Sequence, residues 1–478
     1  MTAARLAWLV VALVLWVPVA SADAKSASKP PPMPRPGTYS VPGNIKSNCS
    51  APVEGKLMAW LATVPDGSTV RFAADGCYGQ DGTITLTGRK GLVLDGRGAE
   101  FRALTPGGSH RANWRFVGGS DLTVQNMAVR GSDPQGAYDP SVEWQHGYSI
   151  EGVQGMTLTS VQVRETWGDG IDLWHGADSP ACGDDASSAR NIKISGATLE
   201  RNGRQGLAVV DAEGVMLQDS TVGPVAWSSV DLETDDDCEI ARDVTIDHNS
   251  FGANHYGVVA SVGFGGNPQV GDVTVTDNVQ TAPTGLGPPA TGECWAPVRI
   301  LSPDGLYRGG YTFRGNHFLA RWNGFEFRRV NNVAVDANTV DYGTASGCSA
   351  GAGVLMVDSH TVAITNNLFN GADQVFTADA ASTNIDAQGN TTTTSSGGAP
   401  TATAGPTATA APTATEPTPQ GEAPEAPPSS EEQNPSPTGE PPSPRATEPT
   451  VPAGSGGEQP ADAHGPGHHS RAPGAVGP

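Results

Sequence analysis

Residues 156–174 read MTLTSVQVRETWGDGIDLW, and their pattern decides the fold. In MTLTSVQV, apolar and polar residues alternate, which predicts an extended strand with one buried face and one polar face. The GDGIDL segment then starts a second strand after a glycine-containing turn. Because helical periodicity is absent from this stretch, the sequence predicts a chain built from short strands and tight turns.

Both strand types recur from about residue 67 to residue 390. The alternating type recurs in TVRFAA, GLVLDG, LTVQNMAV, IKISGATL, VMLQDSTV, VTIDHNSF, VTVTDNV, YTFRGNHF, VAVDANTV and VAITNNLF. The second type recurs in HGYSI, DGIDL, QGLAV, SSVDL, YGVVA, APVRI, NGFEF and AGVLM. Aligned on Gly147, Gly170, Gly206, Ser229, Gly257, Pro297, Gly324 and Gly353, it steps by 23, 36, 23, 28, 40, 27 and 29 residues. A minimum of 23 with longer steps indicates stacked coils that carry loops of variable length.

Asparagine follows many of the alternating runs at one register. These residues are Asn126, Asn249, Asn278, Asn316, Asn338 and Asn367. Side-chain amides that stack at successive turns can hydrogen-bond along the axis of a solenoid. We therefore expect them to form a structural ladder.

The two repeated registers resemble the pectate-lyase-like superfamily of right-handed parallel β-helices over residues 50–390. The predicted fold class is all-β, a single-stranded right-handed parallel β-helix. A β-sandwich would lack the fixed register, and a propeller would repeat at about 40 to 50 residues. Ahead of the repeats, Leu57, Trp60, Leu61 and Val64 have helical spacing, which predicts a short amphipathic helix that caps the solenoid.

The composition predicts four segments along the chain. Residues 1–24 place Arg5 before an apolar run and then small residues, which is typical of a signal peptide. Residues 25–48 form a Pro/Ser-rich linker, and residues 49–390 form the β-helix. Residues 391–478 contain no Leu, Ile, Met, Phe, Tyr, Trp or Cys, which predicts a disordered tail. The tail is either a flexible solubilising segment or a stalk or cell-wall spacer.

Six cysteines stand at Cys49, Cys77, Cys182, Cys238, Cys294 and Cys348, and none forms a CxxC pair. An even number of cysteines in an exported chain favours disulfides over a zinc site. Their positions suggest pairing of Cys49 with Cys77, Cys182 with Cys238, and Cys294 with Cys348.

The net charge of −22 comes from 50 acidic and 28 basic residues. Such a balance disfavours nucleic acid, anionic lipid and densely anionic substrates, although a local basic groove or a bridging cation could override it. The sequence thus predicts a secreted monomer that is not inserted in a membrane, is associated with the cell wall or free, and has an extracellular polysaccharide as its partner.

The residues beside the core positions of the second strand type form columns along one face. The first column is Ser149, Asp172, Ala208, Asp231, Val259, Arg299, Glu326 and Leu355, and the second includes Glu151, Trp174, Glu233 and Arg328. Just before the aligned glycines come His146, Asp169, Gln205 and Tyr256, with Arg204 one residue earlier. This face predicts catalytic roles for His146, Asp169, Asp172, Asp231 and Glu233. It predicts substrate binding by Trp174, Arg204, Gln205, Tyr256, Arg299 and Glu326, with Trp174 exposed as a sugar platform or packed under the 177–190 loop.

Spacing along this face allows glycoside hydrolysis. Coils rise by about 4.8 Å, so the backbones of Asp172 and Asp231 should lie about 9 to 10 Å apart, and those of Asp231 and Glu233 about 6 to 7 Å apart. Inverting glycosidases hold their two carboxyl groups roughly 6.5 to 9.5 Å apart. Both pairs are compatible with this requirement.

The segment TWGDGIDLW is similar to the NTDGID motif of polygalacturonases, family 28 of the glycoside hydrolases, and the resemblance implies that Asp169 is catalytic. QHGYSI and VRI are similar to the GHG and RIK motifs of that family. Three departures stand beside these matches: RQGLAV replaces the paired Asp, His146 precedes Asp169, and no Lys follows Ile300. ERNGRQGLAV and WSSVDLETD resemble more closely a set of bacterial β-helix proteins, which implies that the polar face is the working one.

Three functions stay open from the sequence. The first is a glycosidase, and the second is a uronan lyase that uses an Arg or His as base. The third is a non-catalytic glycan-binding surface protein. No cofactor is predicted, with Ca²⁺ as the alternative at Asp231, Glu233, Asp235, Asp236, Asp237 and Glu239.

Overall fold

The computed structural model describes residues 35–176, 187–234, 238–261, 270–282, 294–302, 306–343, 348 and 351–393. The predicted signal peptide, residues 25–34 of the predicted linker and the tail beyond residue 393 lie outside these ranges, as do Cys182 and residues 235–237. Within the described ranges, no helix combines the length and apolar character that a membrane crossing requires.

The described residues form one helix and a long series of short strands. The first half comprises β1 (Thr38–Ser40), β2 (Asn48–Pro52), α1 (Glu54–Leu61), β3 (Thr69–Arg71), β4 (Cys77–Gln80), β5 (Ile84–Thr87), β6 (Val93–Ala103), β7 (Trp114–Val117), β8 (Ser120–Arg130), β9 (Tyr148–Glu151), β10 (Gln154–Thr159), β11 (Gln162–Arg164), β12 (Ile171–Trp174), β13 (Ala189–Ser195), β14 (Thr198–Glu200), β15 (Leu207–Val209), β16 (Ala212–Gln218) and β17 (Thr221–Val222). The second half comprises β18 (Ser228–Leu232), β19 (Ala241–Asp247), β20 (Ser250–Phe251), β21 (Gly257–Ser261), β22 (Val270–Thr276), β23 (Val279–Gln280), β24 (Val298–Leu301), β25 (Arg308–Arg314), β26 (His317–Ala320), β27 (Phe325–Arg328), β28 (Val330–Asp336), β29 (Thr339–Tyr342), β30 (Ala352–Val357), β31 (His360–Thr365), β32 (Leu368–Asn370), β33 (Gln374–Ala378), β34 (Thr383–Gln388) and β35 (Thr391–Thr393).

These strands stack in parallel, coil upon coil. A typical coil supplies one strand to an 11-stranded sheet of order β33-β30-β27-β24-β21-β18-β15-β12-β9-β7-β5, and two strands to a 24-stranded sheet. For example, β10 and β11 pair with β13 and β14 of the next coil. A coil of three strands that pairs only with its neighbours is a parallel β-helix, so the fold prediction is confirmed.

The register of the smaller sheet follows a column of buried residues: Tyr148, Ile171, Leu207, Val230, Val259, Val298, Phe325 and Val354. One predicted alignment is wrong. Gly257 pairs with Ser228 rather than with Ser229, so Ala260, not Val259, stands beside Asp231. Val258, Val259 and Ala260 are all apolar and buried, so the alternation that marks the register of other strands is absent here.

Asparagine side chains form a ladder inside one corner of the solenoid. The ladder contains Asn249, Asn278, Asn316, Asn338, Asn367 and Asn390. From Asn278 onward, each amide oxygen accepts the backbone N–H of the preceding coil's asparagine, as Asn316 does from Asn278 at 3.0 Å. The first member, Asn249, accepts the backbone N–H of Ser220. Asn126 was predicted in this ladder and is not in it. It follows Gln125, is exposed with φ of 52°, and occupies the outer turn position, while the buried position falls on Met127.

The N-terminal region contains the predicted helix, with Leu57 and Leu61 of α1 buried. Its capping role stays a prediction. Strand pairing extends beyond both predicted boundaries of the β-helix: β1 pairs with β3 inside the predicted linker, and β35 pairs with β32 at the start of the predicted tail. Partial burial of Tyr39 against the core accounts for the N-terminal extension.

Two predicted disulfides are confirmed. Cys49 is bonded to Cys77 and Cys294 to Cys348, with Cα–Cα distances of 5.0 and 5.9 Å. Cys238 is also disulfide-bonded, and the partner predicted for it, Cys182, lies outside the described residues.

The ladder yields a stability prediction. In Asn316→Ala, the carbonyl oxygen of Val275 and the N–H of Asn278 lose their partners in a buried corner. We expect the free energy of unfolding to fall by about 2 to 4 kcal/mol, measured by denaturant unfolding. Asn331→Ala, which removes a half-buried amide outside the ladder, should cost less than about 1 kcal/mol. Equal losses in the two variants would contradict a structural role for the ladder.

Candidate functional site

The predicted polar face lies on the smaller sheet, over β9, β12, β15 and β18, but its residues are buried rather than exposed. The segment 131–147, which joins β8 to β9, packs over the turns of the following coils. An added Cβ at Gly168 would lie 2.2 Å from the carbonyl oxygen of Glu143, and one at Gly203 would lie 2.9 Å from that of Ala137. The glycines therefore permit an approach that covers the face and removes it from bulk water.

Asp169 lies at the centre of the covered face and is fully buried. One of its carboxylate oxygens accepts the backbone N–H of Gln205 at 2.9 Å. The other lies 3.1 Å from Nδ1 of His146 and 3.4 Å from Nη1 of Arg204. Burial alone would raise the pKa of Asp169, but Arg204 and His146 lower it below the usual value. Asp169 is thus an ionised anchor for two cationic side chains.

His146 lies between two carboxyl groups. Its Nδ1 faces Asp169, and its Nε2 is 4.0 Å from Oδ2 of Asp172. Burial lowers the pKa of His146, but the charge of Asp172 and the hydrogen bond with Asp169 more than offset this, so the pKa is raised. Nδ1 also lies 3.2 Å from the backbone nitrogen of Asp169, so the same atom can accept that N–H in the neutral ring.

Asp172 differs from Asp169 in its surroundings. Its side chain is buried, and Oδ2 has no hydrogen-bond partner among the described residues. Burial raises the pKa of Asp172 to about 7, and the negative charge of Asp169 adds to the increase against the opposing effect of His146. Two carboxyl groups three residues apart therefore have opposite protonation preferences at neutral pH, a common property of acid–base sites.

Arg204 joins carboxyl groups from several coils. Its Nη2 donates to Glu233 at 3.0 Å, its Nη1 lies 3.4 Å from Asp169, and its Nε lies 3.6 Å from Oε2 of Glu143. Burial lowers the pKa of Arg204, but these carboxylates raise it well above the ordinary value. Arg204 is therefore permanently charged and fixes the positions of three acids.

Asp231 completes the predicted group. It stands in the column of Asp172, two coils on, with Ala208 between them. Its Oδ2 accepts a hydrogen bond from Nε2 of Gln205 at 3.0 Å. Because coils are spaced by about 4.8 Å, this register puts the two aspartate backbones roughly 10 Å apart, with only a methyl side chain between them.

Glu143, Asp169, Asp172, Asp231 and Glu233 together are called the acid cluster. Aromatic side chains adjoin this cluster on its N-terminal side. Trp144 and Trp174 stack with ring centroids 5.6 Å apart, and His110 stacks on the other face of Trp144 at 6.0 Å. Trp174 donates its Nε1–H to Glu239 at 3.1 Å. Trp174 is half-buried in this stack rather than standing alone as an exposed platform.

A second aromatic group adjoins the cluster on later coils. Tyr138 donates to Glu143 at 2.9 Å and packs against Trp227, which stacks on Tyr256 at 4.2 Å. Tyr256 contacts Trp295, and the guanidinium of Arg299 lies 4.0 Å from the centre of that indole ring. The acid cluster thus has aromatic surfaces on both sides.

The structure brings most of the predicted site residues together, namely His146, Asp169, Asp172, Arg204, Gln205, Asp231 and Glu233. Arg299 and Glu326 form an ion pair with each other at 3.0 Å on β24 and β27, beyond the cluster, and Tyr256 joins them to it through the aromatic group. Sequence reasoning missed Tyr138, Glu143, Trp144, Trp227 and Trp295. The signal for Trp144 and Trp227 was their place shortly before the aligned column, three residues before Gly147 in WQHG and two residues before Ser229 in WSS.

The acidic residues that suggested Ca²⁺ take part in different contacts. Glu233 binds Arg204, and Glu239 binds Trp174, while residues 235–237 lie outside the described part of the chain. The calcium alternative therefore stays a prediction. On an outer turn of another face, ligand atoms of Asp247, His248 and Asp277 lie within 4.8 Å of one another.

Comparison with protein-family models and with curated protein sequences finds no match. Among solved structures, the A-module of mannuronan C-5 epimerase AlgE6 from Azotobacter vinelandii matches with a TM-score of 0.51 and 12% identity, over 74% of this chain and 99% of that chain. The pre-mature gene product 12 of bacteriophage phi29 matches with a TM-score of 0.50 and 13% identity, over 73% and 51%. The catalytic unit of a GH87 α-1,3-glucanase from Streptomyces thermodiastaticus gives 0.47 and 14%, over 77% and 70%.

At these identities the likeness shows the fold alone. The chain is a right-handed parallel β-helix. An epimerase module and a bacteriophage protein share this fold with it, so the fold leaves the activity to be argued from the site.

The two protonation preferences yield a prediction on stability. The pKa of Asp172 is about 7 in the folded protein and near 3.8 when unfolded. The folded state therefore prefers the protonated carboxyl group, and the stability that this group contributes is complete below pH 4 and is lost as the pH rises to 7. Asp172→Asn removes this loss. We expect the variant to gain stability relative to the wild type between pH 4 and pH 7, by an amount on the order of several kcal/mol at pH 8.

Thermal unfolding across this pH range measures the difference between the two proteins. Asp277→Asn, which changes an exposed carboxylate on an outer turn, should follow the wild-type curve. A stability difference that does not change with pH would contradict a raised pKa at Asp172.

Proposed function

We propose that this protein is an exported glycoside hydrolase that cleaves a polysaccharide with the acids of the smaller sheet. One observation carries the proposal: a buried carboxyl group, Asp172, holds its proton near neutral pH and stands two coils from a second aspartate in the same column. Glycoside hydrolysis needs this combination of a protonated and an ionised carboxyl group.

Asp172 is the proposed general acid. Its Oδ2 is buried and has no hydrogen-bond partner among the described residues, so a proton there is not shared with another side chain. Asp231 is the proposed general base that removes a proton from the attacking water. The backbones of the two residues lie roughly 10 Å apart, which is compatible with the 6.5 to 9.5 Å between carboxyl groups that leaves room for water in an inverting mechanism. The new C–O bond forms as the glycosidic C–O bond breaks and the leaving oxygen takes the proton of Asp172. Asp231 then releases the water proton to solvent, and Asp172 takes up a proton from solvent.

His146, Asp169 and Arg204 are proposed as positioning residues. Asp169 orients His146 toward Asp172, and Arg204 ties Asp169 to Glu233 on a later coil. The charge of Asp172 is the largest influence that raises the pKa of His146, so loss of the Asp172 proton favours a protonated His146, which in turn stabilises the new carboxylate.

The aromatic groups support a glycan as the substrate. Trp144 and Trp227 lie within groups of packed rings, and each group forms an apolar surface of the kind that sugar rings contact. Because the two groups include residues of different coils, a bound chain would contact aromatic side chains at more than one sugar.

A uronan lyase is less well supported by the contacts. Such an enzyme needs a free cationic group for the substrate carboxylate, but all three guanidinium nitrogens of Arg204 face protein carboxylates. Arg299 is likewise paired with Glu326. Export is proposed from the predicted signal peptide and is supported by the oxidised cysteines.

Substitution at the two aspartates tests the proposed chemistry. We expect Asp172→Asn and Asp231→Asn each to lower the release of reducing ends by about 10³-fold or more, because proton donation or water activation is lost. The matched variant Asp277→Asn should keep wild-type activity. Proton NMR of the first product should show inversion at the anomeric carbon, whereas an unsaturated product would identify a lyase. Wild-type turnover in both variants would refute these roles.

A second test addresses the aromatic surface beside the acids. Trp227→Ala removes the ring that stacks between Tyr138 and Tyr256. We expect KM for a polymer to rise about tenfold, with kcat changed less than threefold, since stacking on a sugar is worth about 1 to 2 kcal/mol at a site away from the bond cleaved. Trp60→Ala, on helix α1, is the control. A loss confined to kcat would place Trp227 in the chemical step instead.

A further inference from the structure

An open cleft lies where the ends of β6, β8 and β11 adjoin segment 131–147. It has a volume of about 360 Å³, which is in the size range of sites for small ligands. Thr105, Pro106 and Pro134 are exposed on its rim. The polar side chains that line it deeper include Arg130 and Ser132. Unlike the buried acid cluster, this cleft can be reached by a ligand from solvent.

Ser132, on the wall of the cleft, has a hydroxyl hydrogen without an acceptor. Its Oγ accepts hydrogen bonds from Nε1 of Trp167 at 3.0 Å and from Nη2 of Arg111 at 3.3 Å. Because both of these groups can only donate, the hydrogen of Ser132 has to point elsewhere. The neighbouring Asp133 does not take it, since its carboxylate accepts backbone N–H groups of its own loop. Among the described residues, the hydroxyl group of Ser132 is therefore a donor without an acceptor.

Arg130 adds charged donors to the same wall. Its Nε donates to Oε2 of Glu165 at 2.5 Å, and its two terminal nitrogens have no hydrogen-bond partner in the described part of the chain. Burial alone would raise the pKa of Glu165, but Arg130 and Arg201 lower it, so this carboxylate is ionised and already shared by two cations. Arg102 is paired with Glu100 at 2.6 Å. The terminal nitrogens of Arg130 can thus bind an oxyanion through two parallel hydrogen bonds.

A buried cation without an ion pair lies behind the cleft. Arg111 is 5% exposed, and its Nη1 donates to the carbonyl oxygen of Thr105 at 2.7 Å. Its Nη2 contacts Ser132 and Gln145, and its Nε has no partner within the described ranges. Burial lowers the pKa of Arg111, and the charge of Asp81, which opposes this, is not in contact with it. A buried charge without a partner of opposite sign is costly, and an anion in the cleft would compensate it.

The strand register puts this cleft beside the proposed catalytic acids. Strand β7 pairs with β9, and β9 pairs with β12. Arg111, Gln145 and Gly168 each stand three residues before the first residue of these strands, so they follow one another on successive coils. Arg111 is therefore two coil spacings, about 10 Å, from the residue that precedes Asp169. An anion held there would belong to a sugar next to the reacting one, whereas a lyase needs the carboxylate on the reacting sugar itself.

We propose that this cleft binds the oxyanion of an acidic sugar, a carboxylate or a sulfate ester, in the glycan that the neighbouring acids cleave. Ser132 and the terminal nitrogens of Arg130 would donate hydrogen bonds to the anion, and Arg111 would supply positive charge from behind. The inference deepens the proposed function and rests on it for the nature of the ligand. The net charge of −22 opposes a densely anionic polymer, but screening lets the donors of the cleft dominate for a single acidic sugar.

Binding of single sugars to the full-length wild-type protein tests the proposal, because a single sugar contains no bond between sugars to be cleaved. The probes are the methyl glycosides of galacturonate, glucuronate and glucose 6-sulfate, each compared with its neutral parent sugar by ligand-observed NMR. We expect at least one acidic glycoside to bind about tenfold more tightly than its neutral parent, with a preference that shrinks as salt is added. The glycoside that binds identifies the anion as carboxylate or sulfate. Equal or weaker binding of every acidic glycoside would overturn the proposal.

Substitutions then connect the preference to the cleft. Ser132→Ala removes the hydroxyl donor without changing the charge, and Arg130→Gln removes the charged fork. We expect the affinity for the acidic glycoside to fall about fivefold in the first variant and about tenfold or more in the second. Arg314→Gln, the same change at an exposed arginine of β25, is the matched control and should leave the affinity unchanged. A purely structural role would lower the melting temperature of both variants and leave the preference for the acidic glycoside intact, which would refute the assignment.

The inference and the proposed function can fail separately. If an acidic glycoside binds with the expected preference and loses it in the cleft variants, but the wild-type protein releases no reducing ends from any glycan, the hydrolase proposal fails and the binding site stands. If the wild-type protein hydrolyses a neutral glycan and no acidic glycoside binds more tightly than its neutral parent, the hydrolase proposal stands and the binding site fails.

Discussion

In-register parallel stacking is the constraint on which the rest of the structure depends. Each coil is held to the next by backbone hydrogen bonds, so a residue beside the core is repeated about 4.8 Å further along the axis. Burial fixes the register, because a slip of one residue would exchange core and surface side chains. Asp172, Ala208 and Asp231 are 59 residues apart from first to last, yet stacking puts them in one column. The solenoid thus converts long sequence separations into fixed short distances.

The sequence predicts the fold well because its signals are local. Alternation marks each strand, and glycine before the second strand type marks each coil, so the columns could be read without knowing the loops. The two errors, at Gly257 and Asn126, have one cause. Each was aligned by residue type, although strand pairing puts Gly257 beside Ser228 and the buried ladder position of the other coil falls on Met127. Residue identity is a weaker guide to register than the apolar pattern.

The sequence predicts which residues form the candidate site, but it does not predict that they are buried. Its columns follow from the repeat, but its burial depends on segment 131–147, which has no repeat to align. That segment brings Tyr138 and Glu143 over coils that lie more than sixty residues later, through close approaches that need glycine at Gly168 and Gly203. Contacts between residues so far apart in the sequence produce no local pattern from which they could be predicted. The opposite protonation preferences of Asp169 and Asp172 arise only after the face is covered.

Burial of the polar face shifts the pKa values of its acids and also costs folding free energy, because charged groups lose contact with water. A solvent-exposed column of acids would have ordinary pKa values and weak mutual effects, whereas burial raises the pKa of Asp172 and makes the contacts of Arg204 strong. Arg204 compensates part of the buried negative charge and is the largest influence that lowers the pKa of Asp169. The same guanidinium group contacts Glu143, Asp169 and Glu233, which come from three separate parts of the sequence. Loss of Arg204 would therefore remove a cation that three carboxyl groups share, which is far more costly at a covered face than at an exposed one.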